Sequence, residues 1–205
     1  MIEITNEDNM QLMARYPDKY FDLAIVDPPY NLERFRKGIG KNDRHKIKSD
    51  AQFNNSSPKQ EYWDELFRVS KNQIVWGANN FIMPPSEYFL IWNKKQTVDN
   101  FASAEYAWVS MGLKKPAKVF DYGIHLHNHT DKIHPTQKPV PLYKFILNTY
   151  AKSGDKILDT HIGSGSIAIA CIDYNFDLVG CELSDKHYKD AMLRIKQHQS
   201  QTKLF

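Results

Sequence analysis

The segment Phe21–Tyr30, reading Phe-Asp-Leu-Ala-Ile-Val-Asp-Pro-Pro-Tyr, constrains the fold more than any other stretch of the 205 residues. Leu23 to Val26 are apolar and partly β-branched, the composition of a buried strand. Pro28 and Pro29 cannot extend a hydrogen-bonded ladder, and Pro28 pushes Asp27 toward an extended backbone. A carboxylate and a phenol ring are therefore expected on stiff backbone just past a strand's carboxyl end. In open α/β sheets that edge is where ligands bind. Taken alone, Pro-Pro-Tyr is equally an edge turn, so its meaning depends on the other segments.

The length suits one domain over residues 1–205 with a sizeable core. A formal net charge of +3 does not argue for nucleic acid, but its distribution does. Residues 31–60 hold eight Lys/Arg against three acids, and they carry Gly38 and Gly40 without a clear period. This reads as a long basic loop beside the site, with Arg34, Arg36, Lys37, Lys41 and Arg44 as candidate phosphate contacts. Two cysteines, Cys171 and Cys181, fit a reducing compartment. Neither a signal peptide nor a membrane-spanning run is read, so a cytoplasmic protein with no membrane partner is expected.

Strands are predicted at Ile2–Thr5, Leu23–Val26, Gln73–Trp76, Tyr88–Trp92, Ala104–Ser110, Lys156–Asp159 and Asp177–Cys181. Helices are predicted from Asn9 to about Tyr16 with Asp8 as N-cap, and over Gln60–Ser70, Pro141–Ala151, Ile167–Tyr174 and from Ser184 onward. The last should bury Tyr188, Ala191, Met192 and Ile195 on one face and end rich in Lys/Arg. Alternation of helix and strand predicts an α/β fold with a parallel sheet. Val119 to Leu126 is expected to be a strand, with His125, His127 and His129 alternating. Without a cysteine or carboxylate at ligand spacing these fit a polar strand edge or a DNA contact better than a metal site, and none is assigned. The segment at about 111–133, with Lys114 and Lys115, is the stretch available for base reading.

Asp159-Thr160-His161-Ile162-Gly163-Ser164-Gly165-Ser166 reads as a strand end, a G-x-G turn and a helix start. Glycines there let a ligand approach the backbone. Glu182 ends the next strand, where an acid grips a ribose diol. Ala168 stands where a dinucleotide fingerprint has its third glycine, which that fingerprint tolerates. The pattern points to an adenosine-containing cofactor, either a dinucleotide or S-adenosylmethionine.

Asp27-Pro28-Pro29-Tyr30 decides between them. With this motif, the Asp159–Ser166 loop, His134–Val140 before it and the strand end Ile74–Phe81, the chain resembles the amino-group DNA methyltransferases that use S-adenosylmethionine. The catalytic motif precedes the cofactor loop, as in the permuted β group. The resemblance implies a Rossmann-like methyltransferase fold, with a mostly parallel sheet of about seven strands and helices on both faces. It implies DNA as substrate and Asp27, Pro28, Pro29 and Tyr30 as catalytic. It also implies cofactor contacts from Asp8, Asp27, Thr136, Lys138, Asp159, Gly163, Gly165, Ser166 and Glu182, with Lys138 a candidate for the methionine carboxylate. Thr160 and His161 depart from the family's Pro and Phe, and Glu7 stands where a glycine is usual. Asp at the head of the Pro-Pro-Tyr motif favours adenine N6 as target. Cytosine N4, an RNA amino group and a non-catalytic binding subunit are the alternatives; a nicotinamide-dependent oxidoreductase would leave the motif without a role. So little chain for base reading fits a short recognition site or a homodimer, and a cognate restriction nuclease is a further partner to consider.

Overall fold

The computed structural model describes residues 1–30, 57–99, 101–128, 132–134 and 136–202. Among these residues eight strands make one sheet: β1 (Ile2–Thr5), β2 (Phe21–Val26), β3 (Ser70–Trp76), β4 (Phe89–Asn93), β5 (Ala104–Val109), β6 (Lys118–Asp121), β7 (Lys156–Asp159) and β8 (Asp177–Cys181). Their order is β1-β8-β7-β2-β3-β5-β4-β6. Every pairing is parallel except those of β5, which runs against both β3 and β4. The helices are α1 (Asn9–Ala14), α2 (Gln60–Val69), α3 (Ile124–Asn128), α4 (Val140–Tyr150), α5 (Ser166–Tyr174) and α6 (Asp185–Thr202).

The alternation of side chains along β2 sorts its apolar run between two layers. Leu23 and Ile25 join Leu142, Ile146 and Leu147 of α4, Ile167 of α5 and Ile195 of α6 in one core. Ala24 and Val26 join Leu12 and Met13 of α1 and Tyr62 and Leu66 of α2 in the other. Each fully buried Leu or Ile in these layers stabilises by about 1.5–3 kcal/mol. Because β2 is covered on both faces, its sequence is continuously apolar rather than alternating. The expected helices on both faces are present.

Asp8 caps α1 as its sequence position predicts, accepting from the Met10 N–H at 2.8 Å. On α6, Ala191 and Ile195 are buried, and Tyr188 and Met192 pack against the same core. Its last turn carries no basic residue, contrary to the Lys/Arg-rich end expected. No helix among the described residues is long and apolar enough to cross a membrane.

The expected mostly parallel sheet is present, with eight strands among the described residues and Ala104–Val109 running antiparallel to both its neighbours. One strand needs correction. The strand expected from Val119 to Leu126 stops at Asp121, because its partner β4 stops at Asn93 and the Tyr122 N–H takes the Asn93 carbonyl at 3.1 Å. Beyond this, Gly123 opens a helical turn, its carbonyl accepting from Leu126 and His127. His125 and His127 therefore lie on α3 rather than along one strand face; His129 is outside the described residues. His127 is buried, and its Nε2 donates to the Gln137 carbonyl at 2.5 Å.

Candidate active site

All parallel strands end at one edge of the sheet, and the site is built there. From β7 the chain leaves through α5 toward β8; from β2 it goes the other way, toward β3. β7 and β2 are neighbours, paired Leu23 to Ile157 and Ala24 to Leu158. The fold therefore has its topological switch point between them, the place where open α/β sheets hold ligands. Asp27 extends β2 and Asp159 ends β7, so the acid of the Pro-Pro motif and the two-glycine turn emerge side by side.

Asp27 is largely covered, its side chain 19% exposed, and its Oδ2 pairs with the Lys138 ammonium. Lys138, 5% exposed, also lies 3.4 Å from Glu105 Oε2 and 5.3 Å from the ring centre of Trp76. Lys94 completes the row, 2.7 Å from Glu105 Oε1. Burial pushes the Asp27 carboxyl up, and Lys138 works against that push. Burial alone would lower the Lys138 ammonium, but Asp27 and Glu105 more than reverse it and hold it above the usual lysine range. Burial also pushes on Glu105, yet Lys138 and Lys94 keep its carboxyl below the ordinary value. Sequence reading had no reason to choose Glu105. Its place depends on the reversal of β5, which brings the strand's first residues to the edge where the other strands end.

Tyr30 is seated by Gly77, the residue after β3. Gly77 has a left-handed backbone (φ 66°), and a β-carbon built there would lie 2.8 Å from Tyr30 Cε1. Phe81 stands edge-on to Tyr30 at 6.4 Å and packs on Trp63 at 5.1 Å. The strand end Ile74–Phe81 thus forms the floor under the phenol ring.

On the β7 side, Gly163 and Gly165 take φ of 52° and 73°, a turn that disfavours side-chain-bearing residues. The Gly163 N–H donates to Glu182 Oε2 and the Ser184 N–H to Glu182 Oε1, each at 2.9 Å. Glu182 is further tied to the end of β1, its carbonyl accepting from Asn6 Nδ2 at 2.7 Å and its N–H donating to Thr5. Asp8 follows on the same chain segment. Asp159 is buried and accepts from the His161 N–H at 2.9 Å. Burial, reinforced by the Asp27 and Glu182 charges, pushes its carboxyl up to about 8.

The departures at Thr160 and His161 have a structural use. Tyr62 OH lies 2.8 Å from Thr160 Oγ1, which is 2.9 Å from His161 Nδ1; His161 Nε2 is 3.2 Å from Asn9 Nδ2. Since the Asn9 amide nitrogen can only donate, His161 Nε2 accepts and Nδ1 carries the hydrogen. This polar chain joins α2, the turn and α1, and burial pushes His161 down to about 3, keeping the ring neutral.

Other expected residues are less central. The Ser166 hydroxyl is engaged by Arg194 at 2.9 Å and Ser164 at 3.1 Å. Thr136 is exposed and bonds to His134 Nδ1, whose ring lies against Gly163 and His187. Lys114 and Lys115 follow a short turn after β5 in which Gly112 lies against Asn72, near the start of β3, and they precede the start of β6, which puts them at the opposite edge of the sheet from Asp27. Arg34, Arg36, Lys37, Lys41 and Arg44 lie outside the described residues.

Two solved structures share this architecture. M1.HpyAVI in complex with SAM aligns with a TM-score of 0.62 and 17% identity over 95% of this chain and 100% of that one. PvuII DNA methyltransferase, described as cytosine-N4-specific, aligns with 0.59 and 10% identity over 97% and 90%. The fold is therefore the Rossmann-like methyltransferase fold. The DNA methylase model N6_N4_Mtase matches residues 49–193, and the chain belongs to that family. Among curated relatives, the type II methyltransferase M.BglII from Bacillus subtilis is 24% identical over 94% of this chain and 68% of its own length. M.HinfI from Haemophilus influenzae is also 24% identical, over 95% and 68%.

Proposed function

We propose that the chain transfers a methyl group from S-adenosylmethionine to the exocyclic N6 of an adenine extruded from DNA. The observation that carries the reading is the switch-point pairing: Asp27, braced by Lys138, leaves the strand beside the two-glycine turn.

The residues fit the cofactor. Gly163 and Gly165 form a side-chain-free cradle, Glu182 and Asp8 stand at adjoining strand ends where a ribose and an adenine would lie, and Asp159 supplies a buried carboxyl. Thr136 stands at the rim. Lys138 is engaged with two carboxylates, which argues for a bracing role rather than capture of the methionine carboxylate. When bound, S-adenosylmethionine supplies an electrophilic methyl group that needs no further activation.

The chain's own task is to prepare the amine. An exocyclic amino group on adenine is a poor nucleophile because its lone pair is delocalised into the ring. Asp27 and the Pro28 carbonyl accept its two hydrogens and favour the pyramidal nitrogen, with Pro29 keeping that backbone rigid. The target atom is inaccessible within a stacked duplex, so the base must leave the helix, and Tyr30 provides a face for it to stack upon.

Asp rather than Ser heading the Pro-Pro-Tyr motif supports adenine over cytosine. The test is mass spectrometry of modified nucleosides in DNA from cells expressing the wild type or Asp27→Ala. N6-methyladenine in the first and none in the second is expected. N4-methylcytosine, or methylation surviving in the variant, overturns the assignment.

A further inference from the structure

We propose that Glu105 is a positioning residue for methyl transfer: it anchors Lys138, which in turn holds Asp27 through one oxygen and leaves the other for the amine. The proposal rests on the reading of Asp27 given above.

The geometry is an alternating row of charges, Lys94, Glu105, Lys138 and Asp27. Lys138 binds Asp27 Oδ2, and Asp27 Oδ1 has no hydrogen bond among the described residues. A carboxylate must be fixed in rotation if one oxygen is to meet a substrate N–H at the right angle. Lys138 supplies that restraint only if its own long side chain is fixed. Trp76, fully buried at the end of β3, gives its ammonium a ring face, and Glu105 gives it a second carboxylate. Glu105 occupies this position because it is the second residue of β5, paired with Trp92, and β5 enters the sheet at the edge where the others leave.

The row also separates positioning from charge. Asp27 is faced by Lys138 and Glu105, by Tyr30 on its own segment, by Asp159 from β7 and by Tyr143 from α4. The Glu105 charge raises the Asp27 carboxyl and the Lys138 charge lowers it. Neutralising them should move the acid limb of the rate profile in opposite directions.

The test uses the full chain, with single-turnover methyl transfer to DNA at saturating cofactor across pH, cofactor affinity by calorimetry and side-chain NMR of Lys138 assigned with Lys138→Met. Glu105→Gln should slow transfer by about tenfold or more while cofactor affinity changes by less than about twofold. Its acid limb should move to lower pH and that of Lys138→Met to higher pH, and Glu105→Asp should recover part of the lost rate. A Glu105→Gln enzyme with wild-type rate and pH profile overturns the proposal, as does an equal loss of cofactor binding. If Glu105→Gln fails to fold, the wild-type titration decides: a Lys138 that loses its proton in the range of a surface lysine refutes the anchoring. Absence of transfer by the wild type itself would instead refute the functional reading.

Discussion

Gly77 supports the Tyr30 ring so closely that a single added carbon would stand 2.8 Å from Tyr30 Cε1. The backbone there is left-handed, at φ 66°, so Gly77→Ala meets strain as well as contact. The substitution should destabilise the fold by about 1–2 kcal/mol and displace the ring. Urea unfolding measures the first effect. Methyl transfer, reduced more than cofactor affinity, measures the second; equal losses would mean that Gly77 serves the fold alone.

Tyr30 itself should act through its ring rather than its hydroxyl. Tyr30→Phe is expected to retain most activity, whereas Tyr30→Ala should lose about 1–3 kcal/mol of base stacking. Fluorescence of 2-aminopurine at the target position reports the extruded base and should fall with the alanine variant only. An alanine variant with normal fluorescence and rate would remove the stacking role.

Cofactor affinity should depend on pH through Asp159. Burial, then the nearby Asp27 and Glu182 charges, raise its carboxyl to about 8, so near neutrality it is mostly protonated. A cationic ligand favours the ionised form, so affinity should rise from about pH 6 to pH 9 with proton release on binding. Calorimetry in buffers of different ionisation enthalpy measures that release. Asp159→Asn should bind more weakly and show a flat profile; a retained slope would place the titration elsewhere.

Stability should fall in mild acid because of two rings. Burial pushes His161 down to about 3 and His134 down to about 4. The unfolded chain takes up protons near the ordinary histidine value while the folded chain refuses them. The stabilisation is complete above about pH 6.5 and is lost as pH falls toward the folded values, by at most about 1.4 kcal/mol per pH unit for each ring. Urea midpoints at several pH values should show this, and His161→Phe should flatten the dependence. An unchanged slope in that variant would exclude His161.

Lys114 and Lys115 lie at the far edge of the sheet from Asp27. Replacing both with alanine should leave DNA affinity and its salt dependence unaltered, whereas a pair of phosphate contacts would reduce the salt slope by nearly two. A reduced slope would mean that the duplex reaches that edge.

What the sequence disclosed were features written in neighbouring residues. The apolar run before Asp27, the glycine turn after Asp159 and the cap at Asp8 each depend on a few adjacent side chains. The helical turn at His125 and His127 was hidden because it depends on where β4 ends, some thirty residues earlier in the chain. Glu105 was hidden for a similar reason: hydropathy locates β5 but carries no sign of its direction. Lys138 reads from the sequence as a candidate for the methionine carboxylate, and only the placement of Asp27 and Glu105 around it reveals the two carboxylates it holds.

On the function proposed above, the row of four charges bears on how DNA enters. Two carboxylates are matched by two ammonium groups, so the set is electrically neutral and its field decays quickly outside the cleft. An acid facing incoming phosphates would otherwise repel the substrate proposed for it. Screened from within, Asp27 in its proposed role can stand ready for a base without opposing the approach of the strand that carries it.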